Sequence, residues 1–448
     1  MQSRAALWLA AFLLLFALLQ LALVPLLGGR DIEVAPLFRV DGLGLLFGTA
    51  WTLTLAAVAF PLARHRGGGK TGLLTGLIGL GLLVCAYAHN MVVLAAGWAL
   101  AGVGVSLMLD ELGGSTKRSR AMFALLNPLS AFVFLALVTG SPAFAPPAGG
   151  VAEPWQPIAV VAATLAVVFT ATRGFVVGSG LDGHEAGEPA DTPLRALYVL
   201  AAPYTLAKML VTAPWHPVGA WLLVLLGMLA LLMGLYAAYV SQTRQRDSAF
   251  GYSLVGIAIV GFGIAVNSPL AAVGATWVML LGLSWVVVRG WRWAEAVTFV
   301  AISPGLWMVS QAALDTGYGV VAVLILPACI LLAVLTLSAR HETARGWYWP
   351  GVVAAMLSVV AAVLPQTVIE FILRPAVRAM AGGVGALTTL TVDWGVGTLV
   401  RTAQGTVPAA LPATGLGLAV LLAGMLLYWL KQLAERAAQR TDGETQAE

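Results

Sequence analysis

Charged residues are scarce in this sequence. Asp, Glu, Lys and Arg make up 10% of the 448 residues, whereas a typical soluble domain contains roughly 25%. Apolar residues make up 60%. A soluble fold has too little interior to hide that much apolar surface, and long apolar runs are typical of membrane-spanning helices. The composition therefore predicts a polytopic integral membrane protein in contact with the lipid bilayer.

Cysteine and histidine are also rare, and their positions exclude several kinds of site. Cys85 and Cys329 both lie inside apolar runs, so the chain has neither a disulfide framework nor the CxxC spacing of a metal site. The five histidines lie at loops and helix ends without the spacing of metal ligands. No dense basic patch interleaved with aromatic residues indicates nucleic-acid binding. We therefore expect no metal, no cofactor, no catalytic residue and no nucleic-acid partner.

The apolar runs predict an all-α protein with about fourteen transmembrane helices. The runs are too long for barrel strands and do not alternate, and helices and closed barrels are the two structures that span a bilayer. The predicted spans are 5–27, 41–63, 71–88, 91–109, 121–140, 157–178, 193–213, 217–240, 248–266, 269–288, 294–313, 318–338, 350–365 and 412–430.

The basic residues between the spans predict the orientation of the chain. They are concentrated in the loops after even-numbered spans, as in 64–70, 117–120 and 340–345, and are absent from the loops after spans three, five, seven and nine. Short loops rich in Lys and Arg stay on the cytoplasmic side. Both termini are therefore predicted to be cytoplasmic, and the membrane is predicted to be the bacterial inner membrane.

Three parts of the chain are distinguished by their charge. Residues 1–365 form the predicted transmembrane bundle. Residues 366–411 carry too many charges to span, and their apolar positions fall near helical spacing, so this part is predicted to be an interfacial amphipathic segment. Residues 412–448 form a final transmembrane helix and a cytoplasmic tail.

A few polar side chains within or beside the spans are candidates for an ion path, because ionisable groups are costly in lipid. Arg173 lies near the cytoplasmic end of the sixth span, where its charge could also reach the headgroups. Lys208 lies deeper in the seventh span, one turn after Pro203 and close to Tyr204. Glu295 begins the eleventh span, where an interfacial ion pair is the simpler explanation.

The order of several motifs resembles the antiporter-like membrane subunits of respiratory complex I, membrane-bound hydrogenases and multisubunit cation/proton antiporters. Each motif alone is weak, but together they cover roughly residues 38–340 in the family's order. The matching segments are 38–43 (FRVDGL), 89–100 (HNMVVLAAGWAL), 192–194 (TPL), 249–253 (AFGYS) and 303–307 (SPGLW).

This resemblance implies a bundle of two inverted repeats, each with one broken helix, in which charged residues at mid-membrane conduct protons. It implies partners among the other membrane subunits of a multisubunit complex, with protons or sodium ions as the transported species. The chain itself would be a non-catalytic subunit of an ion-translocating complex that redox chemistry could drive.

Most of the charged positions that the resemblance implies are occupied by other residues. Ala99 stands where the family has Glu, Val309 stands where it has Lys, and the helix around 277–285 has neither His nor Lys. Arg173 falls at a family Lys, and an arginine, unlike a lysine, effectively keeps its proton. The ungapped counterpart of the next Lys is Tyr204, with Lys208 one turn beyond, so Tyr204 is a fourth candidate for the ion path beside Arg173, Lys208 and Glu295.

The leading hypothesis from the sequence is thus a largely degenerate antiporter-like subunit of a complex-I-related assembly, serving as scaffold with at most a partial ion path. An active proton or sodium translocator that uses Arg173 and Lys208 is the alternative. A stand-alone secondary transporter is a third hypothesis, which the small number of polar groups in the spans disfavours.

Overall fold

The computed structural model shows a bundle of helices with two short hairpins. It describes residues 4–27, 30–65, 69–111, 144, 204, 206–208, 217–240, 243–265, 267–288, 292–338, 349–377, 399–401, 409–411 and 413–445.

The helices follow the apolar runs, since a chain in lipid must satisfy its backbone N–H and C=O groups internally. They are α1 (Arg4–Leu27), α2 (Gly42–His65), α3 (Gly69–Ala86), α4 (Met91–Glu111), α5 (Pro217–Val240), α6 (Thr243–Ile264), α7 (Pro269–Val288), α8 (Arg292–Asp315), α9 (Gly319–Ser338), α10 (Trp349–Val363), α11 (Pro365–Val377) and α12 (Ala413–Thr445).

The helices lie within a few residues of the predicted spans wherever those spans are described, except that α12 continues to Thr445, beyond the predicted end of its span at 430. The predicted segments 121–140 and 157–178 lie outside the described residues, and in 193–213 only residues 204 and 206–208 are described. By length and composition, six of the described helices can cross a membrane alone, and α10 with α11 forms a seventh if the bent pair counts as one span. The total of about fourteen spans remains a prediction.

Two antiparallel hairpins depart from the all-α prediction. Strand β1 (Ile32–Ala35) pairs with β2 (Phe38–Val40), and β3 (Leu399–Arg401) pairs with β4 (Ala409–Leu411). In the first hairpin, β-branched residues flank a turn at Pro36 and Leu37, a pattern that favours strands over helix. This hairpin connects α1 to α2 where the chain leaves and re-enters the bundle.

Neighbouring helices approach closely where both carry glycine. In the pair α3–α4, a Cβ added at Gly81 would lie 2.8 Å from the carbonyl oxygen of Gly97. In the pair α5–α6, a Cβ added at Gly227 would lie 2.7 Å from the carbonyl oxygen of Gly256. Small residues allow such backbone contact in membranes, where packing takes over from the hydrophobic effect.

The last part of the bundle contains a sharp break. Helix α10 packs against α2, α7 and α8, and Thr298 of α8 donates a hydrogen bond across to Ser358 of α10 at 2.9 Å. After Val363 the chain bends by 108° into α11, whose residues Ile369–Leu373 form a π-helical turn. Pro365 supplies no N–H group, which explains the end of α10 at this point. Helix α12 packs against α8 and α9.

Candidate functional site

A buried ion pair forms the centre of the candidate site. The Lys208 ammonium donates a hydrogen bond to Oδ2 of Asp41, and the two side chains are 5% and 9% exposed. The residues are separated by 167 positions in the sequence. Two buried charges of opposite sign need each other, because an unpaired charge in an apolar interior is very costly.

Asp41 is held in place by the start of α2. Its second carboxylate oxygen, Oδ1, accepts a hydrogen bond from the backbone N–H of Gly44 at 2.6 Å. Asp41 is therefore the N-cap residue of α2. Its carboxylate is stabilised both by Lys208 and by the positive end of the helix dipole. Asp41 directly precedes the candidate span Gly42–Phe60, so the pair lies at one end of that span.

Aromatic side chains enclose the ion pair on one side. The Tyr204 ring lies 4.7 Å from the Phe47 ring and 4.9 Å from the Trp51 ring, centroid to centroid. The Lys208 nitrogen is 5.8 Å from the centre of the Tyr204 ring. Tyr204 also donates a hydrogen bond from its hydroxyl to the carbonyl of Ala86 at 2.6 Å. This bond satisfies a carbonyl at the end of α3 and fixes the tyrosine beside the lysine.

The end of α3 lies so close to α2 that only glycine fits between them. A Cβ added at Gly44 would lie 2.4 Å from the carbonyl oxygen of Ala86 and 3.1 Å from Oδ1 of Asp41. A side chain at this position would therefore displace the N-cap contact and the acceptor of Tyr204 together.

A second polar network lies next to the pair and joins α1 to α2. Tyr87 donates a hydrogen bond to Oε1 of Gln20 at 2.7 Å, and Nε2 of Gln20 donates to the hydroxyl of Thr52 at 3.2 Å. Burial, followed by the negative charge of Asp41, raises the pKa of Tyr87 in the loop between α3 and α4. The phenol therefore stays neutral and remains a hydrogen-bond donor.

Backbone hydrogen bonds join the first hairpin to the loop between α3 and α4. The first hairpin pairs Phe38 with Ala88, Arg39 donates its N–H to the carbonyl of Tyr87 at 2.8 Å, and His89 donates its N–H to the carbonyl of Leu37 at 3.0 Å. The hairpin and the loop 87–90 thus cover the ends of α2 and α3 where the pair lies.

The four sequence-predicted ion-path residues occupy different places. Lys208 and Tyr204 lie together in the buried cluster. Arg173 lies outside the described residues. Glu295 is buried in the first turn of α8, where the helix dipole favours a carboxylate.

Glu295 belongs to a different part of the bundle from the ion pair. Its neighbour Ala294 packs in a cluster with Leu53 and Ala57 of α2. At 1.5 Å per residue, Leu53 is about 18 Å along the helix from Asp41. The structure therefore combines two of the predicted residues and separates Glu295 from them.

Sequence reasoning did not identify Asp41, Gln20 or Tyr87 as site residues. Asp41 stands inside the FRVDGL motif at 38–43, directly before an apolar run, which is the position of an N-cap. That signal, together with a deep lysine in need of a counter-ion, could have identified it. Gln20 and Tyr87 carry no comparable signal.

The described residues hold no cluster suited to a metal. No group of three or more His, Cys, Asp or Glu side chains in the described ranges could hold a metal ion. The chemistry available at the site is that of a buried, hydrogen-bonded pair of ionisable side chains next to hydroxyl and amide groups.

Solved structures of other proteins have a similar fold, although no sequence comparison finds a match. No protein-family model and no curated protein sequence matches the chain. Among solved structures, a chain in the structure of the Mrp complex from Dietzia sp. DQ12-45-1b matches with a TM-score of 0.66 and 16% identity, covering 98% of this chain and 57% of that one. This protein thus spans little more than half the length of that Mrp chain.

Two structures of respiratory complex I from Thermus thermophilus also match. A chain of the complex with bound Aureothin has a TM-score of 0.62 and 17% identity, covering 84% of this chain and 95% of that one. A chain of the complex with bound NADH has a TM-score of 0.58 and 18% identity, covering 85% and 99%. At this identity the similarity shows the fold, and it confirms the predicted resemblance to antiporter-like membrane subunits at that level. The apolar helices and these neighbours identify an integral membrane protein.

Proposed function

We propose that this protein is an antiporter-like membrane subunit of a multisubunit assembly related to the Mrp complex and respiratory complex I. In that assembly it holds neighbouring membrane subunits together, contacts the lipid bilayer and has at most a partial path for protons or sodium ions. The partial path ends at the pair formed by Lys208 and Asp41.

The observation that carries this proposal is the confinement of the buried pair to one end of α2. A path across the membrane must cover about 30 Å of hydrocarbon, with ionisable groups close enough for water to connect them. Between Gly42 and Phe60 the span has no ionisable side chain. Its threonines, Thr49, Thr52 and Thr54, donate their hydroxyls to carbonyls one turn back, at 2.8, 2.6 and 2.8 Å.

The packing of α7 against α8 also supports a largely degenerate path. A Cβ added at Gly274 would lie 2.8 Å from the carbonyl oxygen of Gly305 and 2.9 Å from Cγ2 of Val309. Trp277 closes the same contact and donates its indole N–H to the carbonyl of Ala301 at 2.7 Å. These contacts pack α7 tightly against α8 beside Val309, the position where the resemblance implies a lysine.

An active proton or sodium translocator remains the second candidate. The feature that favours it is the burial of Lys208 beside the Asp41 carboxylate, because buried ionisable groups within a membrane bundle often mark ion pathways. In this candidate, Arg173, Tyr204 and Glu295 would contribute to the path together with residues of partner subunits.

The finer architecture belongs to the proposal as well. We infer about fourteen spans in two inverted repeats with broken helices, a bundle at 1–365, an interfacial segment at 366–411 and a final helix with a tail at 412–448. The fold of the structural neighbours and the bend before α11 support this division. We place the protein in the bacterial inner membrane with both termini cytoplasmic.

Two experiments test these proposals. Purification of the tagged chain from its native membrane in a mild detergent should yield further membrane subunits in fixed ratio, whereas a chain that purifies alone would favour a stand-alone transporter. For the orientation, Ser119→Cys should resist an impermeant thiol reagent added from outside to intact cells. Rapid labelling from outside would show that the orientation is inverted.

A further inference from the structure

Helix α11 covers the end of α2 that holds the ion pair. A Cβ added at Gly42 would lie 3.0 Å from the carbonyl oxygen of Pro375 and 3.0 Å from Cα of Ala376. Gly42 directly follows Asp41, so α11 contacts the helix turn that binds the Asp41 carboxylate. It also contacts α1 and α7, and its first turn contacts α10 and strand β3.

The two faces of α11 differ in character. Four of its apolar residues are buried on the side that faces the bundle, whereas Phe371 on the other side is 48% exposed. Glu370 and Arg374, one turn apart, form an ion pair at 2.6 Å and are only partly buried. An apolar inner face with a charged outer face suits a helix that lies at the membrane surface. The buried residues are Ile369, Leu373, Ala376 and Val377.

Apolar packing, rather than polar contacts, holds α11 in place. Among the described residues, the side-chain hydrogen bonds of α11 are confined to its own Glu370–Arg374 pair. The contact with α2 includes a close approach of the α11 backbone to Gly42, and a π-helical turn interrupts the regular hydrogen bonding of the helix. Such a helix can move away without breaking a polar contact to its neighbours.

The bend before α11 is suited to act as a hinge. It consists of Leu364, followed by Pro365 without a backbone N–H. The next residue, Gln366, is 6% exposed, and both polar atoms of its amide lack a hydrogen-bond partner within the described structure. When the hinge opens, water can hydrogen-bond to this amide.

We propose that α11 is the hinged part of the cover over the Lys208–Asp41 pair, beside the first hairpin and the loop 87–90, and that its opening controls the access of water and small solutes from the end at which α2 begins. This inference rests on the proposed function in one respect, namely that the pair is the end of a partial ion path. Closed, the cover keeps the pair dry; open, it connects the pair to the aqueous phase.

Cysteine labelling in the intact complex tests the cover. Ala376→Cys places a small thiol on the buried face of α11, Phe371→Cys places one on its exposed face, and the native Cys329 is a buried reference in α9. With a water-soluble maleimide, we expect Ala376→Cys to react at least about tenfold more slowly than Phe371→Cys and at least about tenfold faster than Cys329, as local opening requires. Leu373→Cys, also buried on α11, should behave like Ala376→Cys.

Two results would overturn the proposal. A thiol at position 376 or 373 that reacts as slowly as Cys329 would show that α11 is fixed, and one that reacts as fast as the thiol at 371 would show that α11 covers nothing. As a second readout, Gly42→Ala should push α11 outward. It should speed labelling at 376 and raise the reactivity of Asp41 toward a water-soluble carbodiimide. The control Gly76→Ala, with no atom within 4 Å of its added Cβ, should change neither rate. These readouts do not depend on transport, so their failure is distinguishable from failure of the proposed function.

Discussion

Removal of one member of the Lys208–Asp41 pair should destabilise the protein far more than removal of both. Lys208→Met leaves a buried carboxylate without its cation, and breaking a buried pair in this way costs about 3–5 kcal/mol. Asp41→Asn leaves a buried ammonium and should cost a similar amount, although asparagine is as good an N-cap as aspartate. The double variant leaves no unpaired charge and should lie within about 1 kcal/mol of the wild type.

The assay is a double-mutant cycle on the purified protein. The free energy of unfolding of the wild type, both single variants and the double variant would be compared in one detergent at one pH. We expect a coupling energy of at least about 3 kcal/mol between the two positions. Additive losses in the double variant would refute the reasoning, because they would mean that the two charges do not neutralise each other in the folded protein.

Three further predictions concern packing and charge elsewhere. Gly274→Ala should destabilise the bundle by about 1–3 kcal/mol because its Cβ meets the neighbouring helix. Gly76→Ala, whose Cβ meets nothing within 4 Å, should not destabilise it. Equal unfolding midpoints for these two variants would contradict the close packing of α7 and α8. Because the pKa of Tyr87 is raised in the folded state, its contribution to stability is present below about pH 10 and is lost as the pH rises further. Tyr87→Phe should therefore flatten the alkaline fall in the unfolding midpoint, and an unchanged slope would exclude this role. Arg374→Ala should cost no more than about 0.5 kcal/mol, since its partner lies one turn away at a partly exposed surface; a loss of several kcal/mol in denaturant titration would show that the pair holds α11 in place.

The positions of the helices could be predicted because the bilayer permits few alternatives. An apolar run such as 217–240 becomes the helix Pro217–Val240, since lipid leaves its backbone no other hydrogen-bond partners. The end of α10 was also predictable, because Pro365 cannot continue the hydrogen bonding of a helix. The sharp turn that follows depends on packing against α1, α2 and α7, which the sequence pattern does not contain.

The ion pair could not be derived from the sequence for a related reason. Lys208 stood out because a lysine in an apolar span requires an explanation. Its partner lies 167 residues away, and the pattern along each span does not determine which spans are neighbours. Gln20 was hidden in the same way, because a single amide in the run of α1 looks like a tolerated exception until Tyr87 and Thr52 are seen beside it.

The central claim, that the ion path is at most partial, is tested most directly by proton translocation in the double variant Asp41→Asn, Lys208→Met. The whole complex would be studied in sealed vesicles, with the rate normalised to the amount of assembled complex. Because this variant removes the charged pair without leaving a buried charge, a loss of pumping would not be a consequence of unfolding. We predict a rate close to that of the wild type. Loss of most pumping with normal assembly would contradict the account and would identify the protein as an active translocator.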